Sequence, residues 1–71
     1  MAVVTGEEVR AEAIDLLMTG KLDMTTMWLE FIARGGMGSI PDFDDFLAGL
    51  NPFDEISVQL LGLTLREIQE A

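Results

Sequence analysis

The apolar residues of this chain recur three and four apart in short blocks, and a glycine or a proline closes almost every block. That spacing places the apolar side chains of a block on one face of a helix, and the breakers set where each helix must stop. A chain written this way folds as several short helices, each hiding one stripe against its neighbours. The reading predicts an all-α fold, a small bundle of four to five short helices over approximately 6–19, 24–34, 40–49, 52–61 and 65–70, in a single domain spanning 1–71.

The helix ends are legible in capping chemistry. Thr5 and Glu8 have the spacing of a capping box, in which each side chain accepts from the other residue's backbone N–H. Glu7 and Glu8 suit the positive start of a helix, and Gly20 suits its stop. Val9, Ala13, Leu16 and Leu17 then share a face. Asp23 caps a second helix, which closes with Arg34 and Gly35. On it Met24, Met27, Trp28, Phe31 and Ile32 cluster on one side while Glu30 faces away, and Trp28, the largest apolar side chain, is expected to anchor the core. Ser39 caps a third helix, with Pro41 tolerated in its first turn. Phe43, Phe46, Leu47 and Leu50 form its inward stripe, which sends Asp42, Asp44 and Asp45 to the surface.

The last segment, "NPFDEISVQLLGLTLREIQEA", reads two ways. Asn51 caps and Pro52 takes the first helical position, with Asp54 and Glu55 suited to the helix start. As one helix, its apolar residues from Phe53 to Ile68 cover more than half the circumference, which only a central or oligomer-buried helix can hide. With a break at Gly62, Thr64 and Glu67 make a second capping box and two narrower faces result. The break is the preferred reading, with a core around Trp28, Phe31, Phe43, Phe46 and Leu60. A strand at "ISVQL" has only "AVV" near the start as a partner.

At 71 residues the chain lies near the lower limit for a self-sufficient core, and it has neither cysteine nor histidine. A domain of this size buries roughly 60% of its unfolded surface. Stability must come from packing or from a partner subunit, because disulfides and zinc sites lack their ligands. The hydrophobic content of 49% is too high for a disordered acidic tail. No apolar run approaches the ~18 residues of a membrane span. The start also lacks the basic and long apolar regions of a signal peptide, so a cytoplasmic location is expected.

Charge says more about partners. The net charge is −9, which opposes binding to nucleic acid or to an anionic membrane. Residues 1–34 hold six acids and three bases, whereas residues 35–71 hold seven acids and only Arg66. The acids of the second half concentrate in "SIPDFDDFLAGLNPFDE", as Asp42, Asp44, Asp45, Asp54 and Glu55.

Catalytic and metal chemistry fit this pattern poorly. A calcium loop beginning at Asp42 would place Phe46, Leu47 and Phe53 where it needs an oxygen ligand, a glycine and a glutamate. Paired carboxylates need a cleft around them, and the common general base and the strongest nucleophile are both missing. "GGMGS" lacks the remainder of any phosphate-binding fingerprint and runs straight into Asp42. No catalytic residue, cofactor or metal is therefore assigned, and an enzyme is not expected.

Two stretches resemble known proteins. Leu61, Gly62, Leu63, Thr64, Leu65, Arg66, Glu67 and Ile68 resemble the turn and second helix of helix-turn-helix DNA-binding proteins, notably the MerR-type regulators. That resemblance implies a DNA-binding regulator, although Arg66 is offset there by Glu67 and Glu70. Met27 to Glu55 resembles a pattern in short acidic helical proteins of actinobacteria and their phages. It is carried by Trp28, Phe31, Gly35, Gly36, Phe46, Leu47, Gly49, Leu50 and Pro52. That group has no established activity, so the likeness bears on helix boundaries and source alone.

The leading expectation is a small acidic interaction module, a regulator or inhibitor that binds a basic surface of a partner protein through Asp42, Asp44, Asp45, Asp54 and Glu55. A phage-type inhibitor that mimics the DNA phosphate backbone is a sharper form of it. The alternative is the helix-turn-helix regulator. The crowded apolar surface of residues 56–68 adds the expectation of a two-fold homodimer.

Overall fold

The computed structural model of the chain describes residues 5–70. Four helices follow one another: α1 (Gly6–Met18), α2 (Met24–Ala33), α3 (Ile40–Leu47) and α4 (Glu55–Glu70). Among the described residues there is no strand, and residues 2–4, the only strand partner considered, lie outside them. No helix among the described residues is long and apolar enough to cross a membrane.

The first three starts are built as their cap residues require. Thr5 and Glu8 exchange both bonds of a capping box at 3.1 Å. The Thr26 N–H donates to the Asp23 carboxylate at 2.7 Å and begins α2. Ser39 and Asp42 form a second capping box at the head of α3, with Pro41 in the first turn. Each arrangement satisfies backbone N–H groups that an open helix end would leave without a partner.

α1 and α2 each pack on both α3 and α4. Between them lies a continuous core of Val9, Ala13 and Leu16 from α1, Met27 and Phe31 from α2, Phe43, Phe46 and Leu47 from α3, and Val58, Leu61 and Leu65 from α4. All four phenylalanines meet in it. Phe53 stacks on Phe46 with ring centroids 4.2 Å apart and on Phe31 at 5.8 Å, and Phe43 tilts against both Phe31 and Phe53. The radius of gyration is 10.9 Å, close to the roughly 11 Å expected of a packed chain this long.

Several sequence expectations are corrected. The helix at the acidic stretch ends at Leu47, because Gly49 takes a φ of +80° and the Leu50 N–H turns back to the Asp45 carbonyl. Leu50 therefore leaves the inward stripe and is 77% exposed. Pro52 does not open the last helix. Residues 51–54 cross over the core irregularly and insert Phe53, and Asp54 is the cap, accepting from the Ser57 N–H at 2.7 Å. α4 then runs unbroken through Gly62, which is not among the glycines with positive φ. Thr64 is buried rather than capping, and its hydroxyl donates to the Leu60 carbonyl at 2.8 Å. One long helix aligns Val58, Leu61, Thr64 and Leu65 on a single buried face, which outweighs the cost of about 1 kcal/mol for a glycine inside it.

Trp28 and Leu60 are packed against the core but only partly buried. The Trp28 indole N–H reaches the Gly38 carbonyl at 3.2 Å, which carries the ring over the α2–α3 turn. An indole needs a partner for its N–H, and the turn supplies one only at the edge of the fold. Phe31, Phe43, Met27, Leu61 and Leu65 are the large side chains fully enclosed.

Candidate functional site

The five carboxylates singled out in the sequence all stand at the surface, Asp45 half-buried and the other four exposed. They are held on the two elements that flank the Phe46–Phe53 stack. Asp42, Asp44 and Asp45 sit on α3, whereas Asp54 and Glu55 follow Phe53 at the head of α4. The ring stack thus ties together the two stretches of backbone that carry the acids.

Two of the five have local structural duties. The Asp42 carboxylate accepts from the Ser39 N–H at 3.1 Å. The Asp54 carboxyl lies below its ordinary value of 3.8, first because the Ser57 N–H donates to it and then because the Ser57 hydroxyl does. Asp44, Asp45 and Glu55 have no hydrogen-bond or ion-pair partner for their carboxylates among the described residues.

The cations lie elsewhere. Arg34 bridges two helices, with Nη1 at 2.7 Å from Glu30 and Nε at 2.6 Å from Glu67 on α4. Hydrogen bonds to Glu30 and then to Glu67 raise its already high pKa further. The Arg10 Nε donates to the Leu47 carbonyl at 2.8 Å, closing the C-terminal end of α3. Each guanidinium stabilises packing between helices, and neither is paired with the five acids.

Arg10 is the residue that sequence reasoning missed. Read locally it is one more charge on α1, and nothing within a few positions shows that it reaches a carbonyl 37 residues away. It borders an open cleft of about 580 Å³ between the head of α1 and the crossing segment before α4. Phe46, Phe53 and Pro52 line its apolar side, with Arg10, Glu7 and Asn51 on its polar side. An arginine and a glutamate within one open cleft offset each other, and the guanidinium already serves α3.

Among the described residues no group of three or more His, Cys, Asp or Glu side chains is placed to hold a metal ion. The stretch resembling a helix-turn-helix, Leu61 to Ile68, lies wholly inside α4 with no turn. Comparison with protein-family models, with curated proteins and with solved structures finds no match in any of the three.

Proposed function

We propose that this protein is a small acidic interaction module that binds a basic surface of a partner protein, acting as a regulator or inhibitor through Asp42, Asp44, Asp45, Asp54 and Glu55. The observation that carries this reading is a set of five surface carboxylates on α3 and at the head of α4, none of them paired with Arg10 or Arg34. The Phe46–Phe53 stack ties together the two stretches that carry these acids, while Arg10 and Arg34 are each occupied in holding one helix to another. Such a face attracts a cationic partner from a distance and fixes its orientation, raising on-rate and specificity more than affinity. Its attraction is screened over about 8 Å at physiological ionic strength.

The test is retention of partners on the immobilised protein at low and high salt, beside a variant with Asp42, Asp44 and Asp45 all changed to Asn. Asparagine keeps the size of each side chain and removes its charge, so the variant is expected to melt within a few degrees of the wild type. The expected outcome is a set of basic proteins held at low salt, released at high salt and not held by the variant. Retention unaffected by both salt and the triple change would overturn the reading.

A further inference from the structure

The outer side of α4 carries an apolar stripe that the fold leaves uncovered. Ile56 is 81% exposed and Leu63 45%, and a spacing of seven residues sets them on one side of the helix, two turns apart. Leu60 lies between them, half-buried at the margin of the core. The opposite side of α4 is already taken by α1 and α2. Of the other exposed large apolar side chains, Met18, Met37, Ile40 and Leu50 stand at helix ends and in loops and Leu29 stands singly on α2, and isolated exposure of this kind is ordinary.

We infer that this stripe is the seat of a second copy of the same chain, with α4 packed antiparallel on α4 across a two-fold axis near Leu60. A two-fold interface requires a surface complementary to itself. In this register Ile56 of each copy faces Leu63 of the other, so both exposed apolar side chains are covered twice over. The same register brings Glu55 of each copy to Arg66 of the other. Glu55 and Arg66 are eleven residues apart, three helical turns to within about 20°, so they flank the stripe on the same side. Both are exposed, and neither has an ion-pair partner among the described residues of its own chain. Arg66 is moreover the only cation after Arg34 in the sequence.

A parallel pairing would set the two copies of Glu55 and of Arg66 on opposite edges of the seam and leave these charges unpaired, so the cross-pairs favour the antiparallel one. The apolar contact is short, which places the interface at the small end of the range, below about 1,200 Å². The net charge of −9 on each copy opposes the encounter. The dimer is therefore reversible and fills as concentration rises. It does not depend on the basic partner proposed above, since only Glu55 belongs to both surfaces.

Sedimentation equilibrium of the full chain, from micromolar to millimolar at about 0.15 M salt, tests the pairing. The wild type is expected to pass from 7.8 kDa toward twice that mass. The double variant Ile56→Ser, Leu63→Ser should remain monomeric with its helical circular dichroism unchanged, whereas Met18→Ser should behave as the wild type. Glu55→Arg should weaken association roughly tenfold by turning two attractions into two repulsions. Adding Arg66→Glu to Glu55→Arg should restore association to within a few-fold of the wild type. If a serine variant loses helicity, the charge exchange alone decides. A wild type that stays monomeric, a dimer indifferent to Ile56 and Leu63, or a double exchange no tighter than Glu55→Arg would overturn the inference.

Discussion

Thr64→Val separates one continuous α4 from two helices that meet at Gly62. Thr64 is 0% exposed and its hydroxyl donates to the Leu60 carbonyl at 2.8 Å. In a continuous helix that carbonyl also accepts from the Thr64 N–H, so deleting the hydroxyl leaves no acceptor without a donor. Valine keeps the β-branch and nearly the same volume, and it puts a methyl where a polar oxygen sat among apolar neighbours. The hydrogen bond forgone is worth about 0.5–1.5 kcal/mol net, and the added methyl, buried among apolar side chains, offsets it by about 0.8 kcal/mol or more. The expected result is a protein as stable as the wild type or up to about 1 kcal/mol more stable, a Tm rise of at most ~4–8 °C. As the cap of a separate helix, Thr64 would instead cost about 0.5–2 kcal/mol when its oxygen is lost. Gly62→Ala is the companion change, expected to add about 0.5–1 kcal/mol inside an unbroken helix. Thermal melts followed by circular dichroism measure both. A Tm that falls in both variants would refute the continuous helix.

Three further outcomes follow from the packing and the caps. Phe46→Ala should cost about 3–5 kcal/mol, close to the whole stability of a small domain, because it removes a buried ring stacked on Phe53; urea denaturation measures it. Gly36→Ala should cost about 1–3 kcal/mol through overpacking, since its Cβ would stand 2.5 Å from the enclosed Phe31 ring; a melt equal to the wild type would show that the ring yields. Acid should destabilise the fold through two caps. The Asp23 carboxyl, held low chiefly by the Thr26 hydroxyl and then by the Thr26 N–H, and the Asp54 carboxyl, held low by Ser57, both titrate in the folded protein below their ordinary 3.8. The stability they contribute is complete above about pH 4 and is lost as pH falls through their folded values. The double variant Asp23→Asn, Asp54→Asn should lose that part of the acid sensitivity, which melts at a series of pH values would reveal.

What the sequence determined by itself is local. Thr5 with Glu8, Asp23, and Ser39 with Asp42 begin helices where their chemistry says, because a cap bond spans three residues and needs nothing from the rest of the chain. The spacing of Val9, Ala13 and Leu16, of Met27 and Phe31, and of Phe43, Phe46 and Leu47 likewise marks the buried faces, since a helical period is written in the order of residues. It also sends Asp42 and Asp44 outward, which makes the acidic face legible before any fold is known. The last third of the chain was decided by tertiary structure. Asn51 offered a cap, Asp54 read only as an acid suited to the first turn, and Gly62 offered a stop, and local propensities differing by about 1 kcal/mol could not fix where the helix began and ended. Insertion of Phe53 among three other rings and burial of Val58, Leu61 and Leu65 along one helix made the choice. Burying such side chains contributes about 1.5–3 kcal/mol each, more than any single cap. The same choice turned Ile56 and Leu63 to the outside, because one long helix could not bury every apolar side chain that two short ones would have shared.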